Sequence, residues 1–387
     1  MERLLNHLLV KKILFKSGIV IILGYILFFY LSGAVNADWG TYFPINDPLL
    51  LPATPPDTEI PRLELFTGEQ DQLYALNFKS GQLVAFNPQG SIERLINLPI
   101  PAETLKNDGS MWVQGNRIYL KPAADNLVWI FDLQGALQQK VKLDDATDNY
   151  YSFLEIVVDP RGYIYLMDGR APQIKIYNPE GGYEGVFLKK GLRSNNLPDL
   201  PESFCLDNEG NFYFTIRIAD TGWSRIIKYS YSGRLLTTFT ENPASHRYRA
   251  IWVDSFQNLY AMAPEESLVV KFDPRGQKIC QFQAECLAGL TVDRRGTVFL
   301  ASPQGNLINR FLPSRVVALI DRGNRFLKDS RLDLAESCFK KALILDNQLE
   351  YIHSILGEVY FRQRRFREAM IEFQQLRDPW RYSQSLI

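Results

Sequence analysis

The stretch VVDPRGYIYLMDG, residues 157–169, returns three more times in altered form: CLDNEGNFYFTI at 205–216, WVDSFQNLYAMA at 252–263 and TVDRRGTVFLAS at 291–302. Each copy is a short apolar run, an Asp, a turn and then an alternating strand. Tyr163 and Tyr165 face one way along that strand while Ile164 and Leu166 face the other. A second strand with its own turn follows most copies: IKIYNPEGG at 174–182, IIKYSYSG at 226–233 and VVKFDPRG at 269–276. The turns at 87–90, 178–181 and 273–276 place Pro and then Gly where a tight reversal needs a fixed φ followed by a permissive one.

A repeat of this length made only of strands and turns predicts the blades of a β-propeller, each a twisted four-stranded antiparallel sheet. Six units are counted, at 73–90, 117–135, 155–188, 203–240, 250–283 and 288–312; a separate count of 136–152 would make seven. The repeated Asp residues, Asp159, Asp207, Asp254 and Asp293, lie 48, 47 and 39 residues apart, so the loops vary and the blade core does not. The sixth unit lacks a fourth strand before the pattern turns helical. A closed ring abolishes sheet edges, so a strand from 40–66 is expected to complete it.

The phrase of Asp, a two-residue turn, Gly, an aromatic-rich strand and then a Lys/Arg-aromatic strand resembles the NHL repeat over roughly 60–312. The first two units lack the leading Val-Asp, and Gln257 stands where the turn Gly of the fifth belongs. The resemblance implies a six-bladed propeller over 61–313 that serves as a binding platform.

From about 314 the period changes from two to near 3.6. Leu319, Gly323, Phe326, Ala335, Phe339 and Ala342 return 34 residues later as His353, Gly357, Tyr360, Ala369, Phe373 and Leu376. This spacing resembles the tetratricopeptide (TPR) repeat, a pair of antiparallel helices. Two such repeats are expected over 314–380, with a tail at 381–387. Gly323 and Gly357 sit at close helix crossings, Ala335 and Ala369 are the small residues those crossings demand, and the Phe and Tyr residues fill the space between helices. Two repeats fall short of the number that stands alone, so the pair should lean on the propeller, on the Trp380–Ile387 segment, on another copy or on a partner.

Residues 17–35 form an uncharged run of 19, roughly 28 Å as a helix and about the thickness of a bilayer core. Arg3, Lys11, Lys12 and Lys16 lie in the basic segment 1–16 before it; Asp38 and Asp47 follow, with no Lys or Arg until Arg62. The bias places the N-terminus in the cytoplasm and the bulk of the chain outside. Residues 17–36 read as a transmembrane helix or signal anchor; Val35-Asn36-Ala37 offers the alternative of cleavage near Ala37 and a secreted or periplasmic product. Residues 37–60, with five Pro, read as a linker. The short leader and the resemblance suggest a bacterial envelope.

Charges balance at 43 against 43, so nothing draws the chain to nucleic acid. Of the three His residues, His7 precedes the apolar run, His353 takes a helix-packing position, and only His246 falls in the propeller, too few for a triad or a zinc site. No catalytic residue, metal ligand or cofactor is assigned. The repeated Asp residues read as caps on turn N–H groups. A lactonase- or lyase-like metal-dependent hydrolase is the alternative, with Asp148, Asn149, Glu155 and Glu202 as the residues ahead of inner strands. Carbohydrate or peptide binding through Trp223, Tyr248 and Trp252 is a third. Cys280 and Cys286 could form a disulfide in an exported protein, whereas Cys205 and Cys338 read as buried thiols. FRQRRFREAM at 361–370 reads as a solvated basic face, or as a surface for anionic lipid or an acidic partner. The expected role is a membrane-anchored, non-enzymatic scaffold with a protein partner at the helical tail or a propeller face.

Overall fold

A computed structural model describes residues 42–45, 48–51, 63–68, 70–105, 109–123, 125–143, 153–168, 173–187, 201–218, 221–239, 246–285, 289–302, 307–345 and 350–376. Five antiparallel meanders of four strands follow one another, at 63–97, 109–142, 153–187, 201–239 and 250–283, and a sixth sheet is built from both ends of the propeller sequence. Their innermost strands, Leu63–Thr67, Gly109–Gln114, Phe153–Val158, Pro201–Leu206, Ala250–Val253 and Leu290–Val292, each neighbour the next, and the last neighbours the first. The result is a closed six-bladed β-propeller.

Strand alternation does its work between blades. In the strand Ile164–Asp168, Ile164 and Leu166 join the apolar cluster shared with blade two, through Tyr119, Val128 and Ile130. Tyr165 and Met167 join the cluster shared with blade four, through Phe204, Phe212 and Phe214. A blade is thus covered on both faces, and its period-two pattern assigns residues to two neighbours.

Blade six closes the ring. Its strand Leu307–Pro313 pairs antiparallel with Tyr42–Pro44, Tyr42 opposite Pro313, and with Leu49–Leu50. The 37–60 segment is therefore no simple linker: two short pieces of it are sheet. They are only three and two residues long, and their pairing is with sequence-distant residues. On the inner side Thr67 N–H and its hydroxyl both reach Thr291 Oγ1, at 2.9 and 2.7 Å, joining blades one and six.

The chain then turns helical. Ser314 caps helix α1 (Arg315–Lys328) by accepting from Val317 N–H at 3.3 Å. Helices α2 (Leu332–Leu345), α3 (Glu350–Arg362) and α4 (Phe366–Gln374) follow. Within α1–α2 a Cβ on Gly323 would stand 2.5 Å from the buried ring of Phe339, and Gly357 stands against Phe373 in the same way within α3–α4. Ala335, Ala342, Tyr360 and Ala369 are buried beside them, and Phe326 and Phe373 pack against the same cluster.

Of the supports the helices could lean on, the propeller is one. A single apolar cluster runs from Tyr42, Tyr260 and Val298 through Val317 and Ile320 to Ala342, Val359 and Tyr360. At its centre the fully buried Lys271 donates to both carboxylate oxygens of Asp321 on α1, each at 2.7 Å. Arg275 bonds Glu358 on α3, and Arg325 lies over the ring of Phe256 at 4.4 Å. No described helix is long and apolar enough to cross a membrane. The apolar run 17–35 and the cleavage position near Ala37 lie outside the described residues.

Removing one member of a buried ion pair strands the other, at a cost of about 3–5 kcal/mol, whereas apolar replacement of both is often near neutral. Lys271→Met alone and Asp321→Leu alone should each destabilise the protein by that amount and open the chain near Ser314 to limited proteolysis. The double variant should recover most of both losses in a chemical-denaturation cycle.

Candidate functional site

The repeated turn sets the geometry of the central channel. In every Asp copy one carboxylate oxygen accepts two backbone N–H groups of the turn: Asp159 from Arg161 and Tyr163 at 2.9 and 3.0 Å, Asp207 from Glu209 and Asn211 at 2.9 Å each. Asp254 accepts from Phe256 and Asn258 at 2.8 and 2.9 Å, and Asp293 from Arg295 and Thr297 at 2.9 and 2.8 Å. The turn's fourth residue needs positive φ. Gly162, Gly210 and Gly296 supply it, and Gln257 adopts it at 65° with its N–H on Asp254 O at 3.0 Å.

The second oxygen turns inward to the blade. Asp159, Asp207 and Asp254 each accept from the Tyr six residues on, Tyr165, Tyr213 and Tyr260, at 3.3, 3.1 and 3.4 Å. Asp207 also meets the buried Lys228 at 3.2 Å, and Asp159 meets Arg161 at 2.6 Å. These carboxylates are spent on turns and neighbours, so they do not converge on a common point.

Counting back from the cap position along each inner strand gives the channel wall, because side chains two apart share a face. Two residues back stand Phe66, Trp112, Val157, Cys205, Trp252 and Thr291; four back stand Glu64, Ser110, Glu155, Ser203, Ala250 and Gly289. Phe66, Trp112 and Trp252 meet in the middle, with ring centroids 4.8, 5.1 and 5.8 Å apart. This aromatic stopper divides the channel in two. Both cavities are lined by Trp112 and Trp252.

The smaller cavity, about 120 Å³, lies at the end where the inner strands begin and is lined by Glu64, Ser110, Glu155, Ser203 and Arg249. Glu155 accepts from Phe204 N–H at 2.6 Å. Glu202 is held by Arg247 at 2.8 Å, and Arg249 by Glu265 at 2.8 Å. Asp148 and Asn149 lie outside the described residues. Among the described residues no group of three His, Cys, Asp or Glu side chains is placed to hold a metal ion.

The larger cavity, about 320 Å³, opens at the turn end. Its floor is the stopper and its rim carries Gln114, Asn208, Ser255 and Arg294 with Asp71 and the capping Asp159, Asp207 and Asp293. Cys205 lies in its wall, but burial first, then Glu155 and Asp207, push its thiol well above the usual pKa, which disfavours the reactive thiolate.

Several sequence candidates fall elsewhere. Tyr248 is buried, and Trp252 belongs to the stopper and not to an outer surface; Trp223 is 37% exposed. Tyr248 aligns next to inner-strand residues that pack the interface of blades four and five, which hides its ring. His246 packs by the Tyr248 ring at 5.8 Å, and His353 pairs with Glu372 at 2.7 Å. Cys280 is buried and Cys286 lies outside the described residues, as does the tail 381–387. Strand parity counted back from Asp254 is the sequence signal that puts Trp252 on the channel face; Phe66 and Trp112 precede Gly68 and Gln114 and carry no such marker.

No family model matches the chain, and no curated protein matches it. Among solved structures, virginiamycin B lyase from Staphylococcus aureus is 11% identical over 70% of this chain and 99% of its own, at a TM-score of 0.48. A streptogramin B lyase is 11% identical over 72% of this chain and 100% of its own, at 0.46. A gluconolactonase from Xanthomonas campestris is 14% identical over 71% and 98%, at 0.47. Each is a likeness, and none bears on the chemistry of this chain.

The caps differ in what their loss exposes. Asp207→Ala strands the buried Lys228 ammonium and should cost about 3–5 kcal/mol. At Asp293 the ionic neighbour Arg295, 3.5 Å away, is 61% exposed and can turn to water. Asp293→Ala should therefore cost only the unmet N–H groups, about 1–3 kcal/mol. Thermal melts of both variants, and an unchanged wild-type melt on adding calcium, check the capping role.

Proposed function

We propose that this chain is a membrane-anchored, extracytoplasmic binding protein in which an NHL-type propeller carries a TPR-type helical pair as a docking module for a protein partner. The 34-residue offset of the two helical hairpins and their matching Gly-on-Phe contacts support the TPR-type reading. The apolar run 17–35 and the charge bias around it support the anchor.

The observation that carries the docking role is the outer surface of the tail. Helix α1 is fixed to the propeller, and the far hairpin leaves Phe361, Phe366, Met370 and Ile371 between 53 and 58% exposed. Phe361 and Phe366 stack edge to face at 5.5 Å within this patch. Arg364 and Arg367 lie in the same stretch, exposed, and favour an acidic partner with apolar side chains. The hydrolase reading has less support, because among the described residues no His, Cys, Asp or Glu side chains converge to hold a metal ion.

Phe366→Glu together with Met370→Glu alters only exposed positions. The pair should reduce crosslinked recovery of an acidic partner from membranes at least tenfold while leaving the melting temperature unchanged. Equal recovery by the variant overturns the docking role. Protease added outside spheroplasts should remove a C-terminal tag; a protected tag overturns the topology.

A further inference from the structure

We propose that the wider mouth of the channel binds a neutral, polyhydroxylated ligand, a short saccharide, against the aromatic stopper. The site is separate from the helical docking surface and does not rest on it.

The first observation is the cavity. About 320 Å³ is open at the turn end and closed below by Phe66, Trp112 and Trp252, which falls within the ~300–1,000 Å³ of small-molecule sites. The three rings touch one another, so they make a floor and not a box. A floor offers one π-face to the flat C–H face of a sugar ring; enclosing an organic cation needs aromatic walls as well.

The second observation is charge. The capping Asp residues on the rim are matched locally: Asp159 by Arg161, Asp207 by Lys228 and Asp293 by Arg295. Their oxygens also hold turn N–H groups, so neither a metal ion nor an ammonium finds a convergent set. Arg294 alone does not make an anion site. Asp71, the other carboxylate of the lining, accepts the Arg294 N–H at 2.8 Å. Beside these charges stand amide and hydroxyl groups, Asn208 and Ser255 above all, which bond hydroxyls in either direction.

The third observation lies in the repeat itself. The cap is Asp in four blades, where its carboxylate holds two turn N–H groups. The residue that follows is different in every one: Pro160, Asn208, Ser255 and Arg294. All four border the cavity. The fold leaves this position free, and one chain has filled it with four different chemistries around a single opening.

The test uses the full chain in a sugar-free detergent, titrated with maltose and with chitobiose, with glycine betaine as the cationic comparison. Saturable binding of at least one saccharide should change the tryptophan fluorescence and give ligand saturation-transfer signals by NMR. Asn208→Ala with Ser255→Ala, both exposed positions, should weaken it at least tenfold without moving the melting temperature. Trp252→Phe, which keeps an aromatic floor, should weaken it less. The proposal is overturned if neither saccharide binds, if betaine binds in their place, or if the double variant binds as the wild type does.

Discussion

A lysine with no exposed surface sits where blade five, the N-terminal strand and the first tail helix meet. Lys271 holds both oxygens of Asp321 at 2.7 Å, and Tyr42 and Tyr260 share a hydroxyl contact of 3.3 Å beside it. Burial alone would drive this ammonium toward neutrality; Asp321, Tyr42 and Asp254 more than offset that, and its pKa lies above the ordinary lysine value. In blade four the equivalent Lys228 finds its carboxylate inside its own repeat, at Asp207. Blade five has redirected the same lysine to a helix outside the ring. The propeller and the tail are joined by reuse of a repeat position, and a well-packed apolar seam surrounds the junction.

The ring separates constant from variable residues. The capping Asp, the positive-φ residue after it and the apolar inner strands hold the blades in place. Side chains that face the axis and the rim are not fixed by those demands, and there the blades diverge: Phe66, Trp112, Val157, Cys205, Trp252 and Thr291 occupy one level. Both the stopper and the cavity above it come from this freedom. The tail follows the same logic, with Gly323 and Gly357 bound by packing and Phe366 and Met370 left to face outward.

Strand order was legible because the turns of blades three to six are each specified by a local Asp and a local Gly or its substitute; the first two blades lack that Asp, so the count stood open between six and seven until the sheets resolved it. The helical tail was legible because close packing admits only small residues at 323 and 357. The sheet pieces Tyr42–Pro44 and Leu49–Leu50 were expected only as a strand somewhere in 40–66, since so few residues carry no periodicity. The site was less legible. Trp252 looked like a surface aromatic, but its orientation follows from register counted against the cap, and its neighbours Phe66 and Trp112 come from blades one and two. Tyr248 looked exposed because the residues around it are polar; the packing of blades four and five covers it.

Closing blade six with the first strand of the domain has a consequence for how the chain matures. Tyr42 and Tyr260 are 218 residues apart, and Thr67 and Thr291 are 224 apart. Closure entropy grows only slowly with such distances, but contacts of this span come late and slow folding. Blades one to five can form as local meanders while the chain is still emerging. The early strand has no sheet partner until Leu307–Pro313 arrives, and Lys271 lacks its hydrogen-bonded carboxylate until Asp321 follows a few residues later. Completion of the ring and docking of the helices therefore fall at nearly the same moment: a chain cut short before residue 307 would keep an open sheet edge, and one cut between 313 and 321 would leave Lys271 without its hydrogen-bonded carboxylate, each a ready substrate for quality-control proteases.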